Sequence, residues 1–217
     1  MKRVVFAWMA VLLIGLGLPS FAMADSTTSR ASALGYPCED YEPGASDNGG
    51  PVCYYVDSTD TNNGAGVGWG TWSRPFSTLN YANDQCTDSR GDFLFLKPGH
   101  VETVTAAAGL DLDCIGMSVI FMGSGSNRAR VNFTTAVTAD MDIDGAAISL
   151  VNPRFTAGID ALVGPIDVNA AYFTIINGEW VDGTGIDTTD AIVADANADY
   201  LLIDGWRYIP GNEAGTQ

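Results

Sequence analysis

The only histidine of the chain, His100, stands two positions before Glu102 in the stretch LKPGHVETV, residues 96–104. Residues i and i+2 of an extended strand share a face. The two side chains can therefore form an acid–base pair, the set an enzyme needs to move a proton. Aspartates supply a second candidate chemistry. The segment DMDIDG, 140–145, matches the first half of a calcium loop, but its twelfth position is Val151. The bidentate glutamate of an EF-hand is therefore missing. Trp69 and Trp72, in GWGTW, offer flat apolar faces that suit either a sugar ring or the packing of a cap. Arg154 and Arg207 are candidate bases, and Glu179 lies between them. Asp187 and Asp190, in GIDTTD, sit on a loop that can flank a groove. The basic turn Asn127-Arg128-Ala129-Arg130 reads as solvated or paired with a nearby carboxylate.

The elements that must position these groups are short strands. Helical periodicity is almost absent after residue 90. FLFLK begins at Phe93, VIFMG at Val119, ISLVN at Ile148, FTIIN at Phe173 and LLIDG at Leu201, at intervals of 26, 29, 25 and 28 residues. In each, the first and third residues are apolar: Phe93/Phe95, Val119/Phe121, Ile148/Leu150, Phe173/Ile175 and Leu201/Ile203. Alternation of period two marks these as one buried face. A second strand family, LDLD at 110–113, MDID at 141–144, IDVN at 166–169 and IVAD at 192–195, repeats in step with the first. Two strand families sharing one period of about 25–29 residues point to an all-β solenoid, in which each coil buries its apolar face on the next at ~4.8 Å.

The coil register carries the candidate residues into columns. Arg154, Glu179 and Arg207 form a plus–minus–plus column beside Phe155, Trp180 and Tyr208, and His100 falls in that aromatic column. Cross-strand pairs of both kinds stabilise sheets. Asp111, Asp142 and Asp167 form an outward column, and Asp113, Asp144, Asn169 and Asp195 the next. Carboxylates ~5 Å apart repel by about 1 kcal/mol per pair in bulk water and more near protein. Solvent screening, a raised pKa or a bound cation must offset this, which makes the face a candidate Ca²⁺ surface, with a solvated acidic face as the simpler reading.

Residues 1–24 read as a secretory leader. A basic start is followed by an apolar run and by the small-x-small site Ala22-Met23-Ala24, with cleavage expected after Ala24. The chain is acidic, with net charge −16, and more so once Lys2 and Arg3 leave. Such a surface repels phosphate backbones and argues against nucleic acid as a partner. Four cysteines in an exported chain imply two disulfides among three possible pairings. Cys38–Cys53, which brackets a Gly/Pro/Asp-rich loop, with Cys86–Cys114 is the expected set. Zinc is the weaker alternative, since no C-x-x-C is present and the histidine is remote. Residues 25–52 read as a flexible arm and 53–90 as an N-terminal cap. Within the cap a strand is expected at 54–57 and a helix at about 77–85, capped by Ser77, with Leu79, Tyr81 and Ala82 on the first coil. Residues 91–217 read as coils. GNEAGTQ looks like a turn towards another coil, or part of an end cap; an uncapped end invites self-association.

The run Arg74-Pro75-Phe76-Ser77-Thr78-Leu79, followed by Gly91-Asp92 through Pro98-Gly99, resembles the opening of right-handed parallel β-helix proteins of the pectate-lyase-like superfamily. The likeness covers roughly 53–210. PGHVET, with the LD strand and G-x-x-V-x-F-x-G-x-G-x-x-R from Gly116 to Arg128, is closer in wording to small phage- and prophage-encoded β-helix proteins of unknown activity. A secretory leader departs from what a virion component would carry. The resemblance implies either a scaffold or a polysaccharide lyase or glycoside hydrolase. Lyases of this fold use carboxylate-held Ca²⁺ with an Arg or Lys base, and hydrolases use paired aspartates near a GHG that this chain lacks. The reading is an exported, non-catalytic scaffold or surface- or virion-associated protein that touches glycans, with a carbohydrate-active enzyme as the alternative.

Overall fold

The computed structural model describes residues 34–43 and 49–211. The expected leader and most of the closing GNEAGTQ lie outside these. Three parallel sheets wind into a solenoid of about four turns. The first sheet stacks β1 (Glu39–Asp40), β2 (Val52–Val56), β3 (Phe93–Leu96), β6 (Ser118–Phe121), β9 (Ser149–Val151), β12 (Thr174–Ile176) and β15 (Leu202–Asp204). The second stacks β4 (Val101–Val104), β7 (Arg130–Phe133), β10 (Arg154–Ala157), β13 (Glu179–Asp182) and β16 (Arg207–Ile209). The third holds β5 (Leu110–Leu112), β8 (Met141–Ile143), β11 (Leu162–Val168) and β14 (Thr188–Ala194).

The interior is built from columns of one residue per coil. Leu110, Met141, Ile166 and Ile192 pair in register, as do Leu112, Ile143, Val168 and Ala194. Facing them, Phe133 and Phe155 stack with Trp180 at centroid distances of 5.8 and 6.0 Å. Full burial of each such aliphatic or aromatic side chain stabilises by about 2 kcal/mol. In the last described coil the columns open outward: Leu202, Ile203 and Tyr208 are exposed.

Two parts of the expected register differ. Phe93 and Phe95 pair with Ser118 and Ile120, and it is Leu94 and Leu96 that pair with the core residues Val119 and Phe121. Phe95 instead joins a second apolar cluster with Cys38, Cys53, Tyr55 and Ile120 on the other face of the sheet. FLFL is apolar at every position, so alternation cannot choose its inner face; both faces are covered, as in a buried parallel sheet. Val119 pairs with Leu150, 31 positions on, and so lies two places from the expected partner Ile148. The turn carrying the 3₁₀ helix Gly125–Asn127 lengthens this coil beyond its neighbours.

Within the stretch expected as a flexible arm, β1 pairs with β2, Cys38 bonds Cys53, and Tyr36 packs edge-on against Phe95. The cap helix α1 is a single turn, Leu79–Asn83, shorter than expected, and its N-cap is Thr78, whose hydroxyl accepts from the Tyr81 amide. Leu79, Ala82 and Asn83 face inward while Tyr81 stays exposed, because a one-turn helix presents only residues i, i+3 and i+4 to one side. A second disulfide, Cys86–Cys114, ties the chain after α1 to the end of β5. Two disulfides point to an oxidising, extracytoplasmic setting.

Candidate functional site

His100 and Glu102 do meet, but inside the molecule. His100 is 0% exposed and Glu102 is 7% exposed. The Ser58 backbone N–H donates to His100 Nδ1 at 2.9 Å, so the imidazole carries its proton on Nε2. Nε2 lies 3.2 Å from Glu102 Oε2, which also accepts from the Leu79 amide at 2.7 Å. The carboxylate thus satisfies the first backbone amide of α1, one of the four a helix leaves without an internal partner. His100 does not occupy the aromatic column: that place belongs to Glu102, in line with Val131, Phe155, Trp180 and Tyr208. The Lys97–His100 turn, closed by the His100 amide on the Lys97 carbonyl, displaces the strand relative to later coils.

Arg90 and Asp92 form a second buried ion pair. Asp92, 0% exposed, accepts from the Val52 and Thr87 amides at 2.9 Å each and from Arg90 Nε and a terminal guanidinium nitrogen at 2.6 Å each. The carboxylate hydrogen bonds push the Arg90 pKa above its already high ordinary value. The signal in the sequence was the Gly91-Asp92 pair, which stands where cap and first coil join.

The acidic columns form on the outer face of the third sheet. Asp111 pairs with Asp142, and Asp142 with Asp167. Burial and then the charges of Asp140, Asp144, Asp167 and Asp111 push the Asp142 pKa up to about 6. Asp111 and Asp167 are raised for the same two reasons in the same order. Beyond the strands, Asn169 donates to Asp144 at 3.0 Å and Asn83 to Asp113 at 2.7 Å, while Asp195 caps its own turn through the Asn197 amide. One Asp111 oxygen is buried without a hydrogen bond. The donors are all hard oxygens, the kind that suits Ca²⁺. Among the described residues, however, no three acidic, histidine or cysteine side chains converge on a point that could hold an ion. The ladder is a line of charge, not a cage.

The remaining candidates are spread apart. A guanidinium lies 4.4 Å from the Trp69 centroid, that of Arg74, and Lys97 Nζ lies 5.1 Å from that of Trp72. Each ring thus has a cation over it, a contact of about 0.5–1 kcal/mol at such sites. Asp187 and Asp190 are both exposed, on or beside β14. Arg154, Glu179 and Arg207 are paired neighbours in the second sheet. Glu179, 5% exposed, takes Arg154 Nε at 3.2 Å, Arg128 at 3.8 Å and Arg207 as well. Further along the same strand Asp182, also buried, accepts from Trp180 Nε1, Thr188 Oγ1 and the Tyr208 hydroxyl. That last bond pushes the Tyr208 pKa up to about 12. No family model, curated protein or solved structure matches the chain.

Proposed function

We propose that the chain is an exported, non-catalytic β-solenoid scaffold whose faces contact other molecules at a cell or virion surface, glycans among them. The observation that carries this reading is the use made of the acid–base pair. His100 and Glu102 are both buried, and their hydrogen bonds go to Ser58 and to the first amide of α1. A general base must reach a substrate proton, and these atoms instead close the cap onto the first coil. The likeness of the opening motif to the pectate-lyase-like superfamily and to small phage-encoded β-helix proteins supports a scaffold that displays surfaces. The leader-like start supports export.

The alternative is a polysaccharide lyase or glycoside hydrolase, and one observation favours it. Asp142, pushed up to about 6, is a carboxyl group poised near neutral pH on an accessible face, as a general acid requires. Incubation of the full chain with a panel of neutral and acidic glycans, with and without millimolar Ca²⁺, separates the two. The scaffold reading expects no chain shortening in any well. Cleavage of a polymer that disappears in Asp142→Ala establishes the enzyme instead.

A further inference from the structure

The second sheet gathers positive charge on an acidic protein. Arg128, Arg130, Arg154 and Arg207 are four of ten basic residues in a chain of net charge −16. Three of them surround one carboxylate, that of Glu179. Arg128, Arg154 and Arg207 pair with it, and Arg154 also donates to the Gly125 carbonyl at 2.8 Å. Arg130 has neither an ion pair nor a side-chain hydrogen bond among the described residues. The pairing of Val131 with Phe155 and of Asn132 with Thr156 sets Arg130 beside Arg154 on adjacent strands, about 4.8 Å apart in backbone. Like charges directly opposite one another destabilise a sheet, and the only nearby acid of the column is already shared three ways.

The polar groups next along the same face are donors too. The Thr156 hydroxyl donates to Asn132 Oδ1 at 2.9 Å, which leaves the Asn132 side-chain N–H groups directed elsewhere. Arg128 Nε is buried without a hydrogen bond, whereas Arg154 Nε, also buried, is held by Glu179 Oε1 at 3.2 Å. The unpaired Arg130 guanidinium, flanked by Arg154 and the Asn132 amide, makes a face richer in donors than in acceptors, which suits an oxyanion.

The geometry points to an oxyanion site between Arg130 and Arg154, bordered by Asn132, that takes a sulfate, phosphate or carboxylate group. The site is independent of whether the protein cleaves anything. It confines anion binding to one stripe of a surface that otherwise repels anions, so a ligand is held by a single charged group and not along its whole length.

The test uses the full chain labelled at arginine Nε, titrated with sodium sulfate, sodium phosphate or sodium acetate against sodium chloride at equal ionic strength. The expected result is a saturable shift of the Arg130 Nε–H signal with at least one oxyanion and none with chloride. A rise in melting temperature of about 3 °C near saturation accompanies it. Sulfate and phosphate also stabilise proteins by exclusion from their surfaces, so Arg130→Gln is run in parallel. That variant keeps or slightly raises the melting temperature in chloride, because it removes a like-charge contact, and it loses the saturable response. The relative response to sulfate, phosphate and acetate identifies the anionic group. Signals that move equally in chloride, or a variant that responds as the parent does, would overturn the site.

Discussion

His100 touches Glu102 through Nε2, and both ends of the pair are closed by backbone amides that belong to the cap. Removing the imidazole in His100→Ala leaves the Ser58 amide without its acceptor and Glu102 buried with one fewer donor. Orphaning a buried donor and weakening a buried charge together cost about 3 kcal/mol, a fall of about 8 °C in melting temperature for a chain of this size. Thermal unfolding followed by circular dichroism checks this. An unchanged melting temperature would show that the imidazole does not hold the cap. The pairing itself was legible, because two positions in a strand share a face. Its burial was not, since the partners Ser58 and Leu79 lie 42 and 23 residues before the groups they bond. The anchoring of Asp92 was hidden for the same reason: three of its donors are local, but the Val52 amide that ties it to the neighbouring coil is 40 residues away.

Among the elements, the third sheet was the most readable. In LDLD, MDID and IDVN each apolar residue is followed by a polar one, so only one register buries the apolar set. The observed pairs Leu110–Met141–Ile166 follow it. FLFL lacked that contrast, and the longer corner at Gly125–Asn127 shifted its successors. The clean alternation also has a consequence for stability, because it stacks Asp111, Asp142 and Asp167. Between about pH 4 and 6 the folded chain retains a proton on Asp142 that the unfolded chain has released, since the folded pKa is raised from 3.8 to about 6. Stability therefore falls as pH rises through that window and stays low above it. Asp142→Asn should raise stability at pH 7 by about 1 kcal/mol, after allowance for solvent screening of a half-exposed group. It should also flatten the dependence between pH 4 and 6. Denaturant unfolding of both proteins across that range is the measurement. A variant less stable than the parent at pH 7 would mean that the carboxylate ladder is held by a bound cation, which added chelator would then mimic.

At the scale of the molecule, a solenoid is nearly one-dimensional: each coil rests on its two neighbours, and stability is a sum of local terms. The two disulfides are not spread along that line. Cys38–Cys53 holds β1 on β2, and Cys86–Cys114 binds the chain after α1 to the first coil. They close loops of 15 and 28 residues, and each contributes about 3 kcal/mol by restricting the unfolded chain. Reduction should therefore act on the cap and leave the aromatic stack of Phe133, Phe155 and Trp180 in place. Hydrogen exchange measured before and after reduction tests this strand by strand. Amides of β1, β2 and α1 should exchange at least tenfold faster once reduced, while those of β10 and β13 keep their protection. The buried pairs Arg90–Asp92 and His100–Glu102 lie between the two regions and should mark where the effect fades, because they tie the cap to β2 and β4 without the help of sulfur. Equal loss of protection in β10 and β13 would mean that the chain opens as one cooperative unit, with the cap as its limiting part.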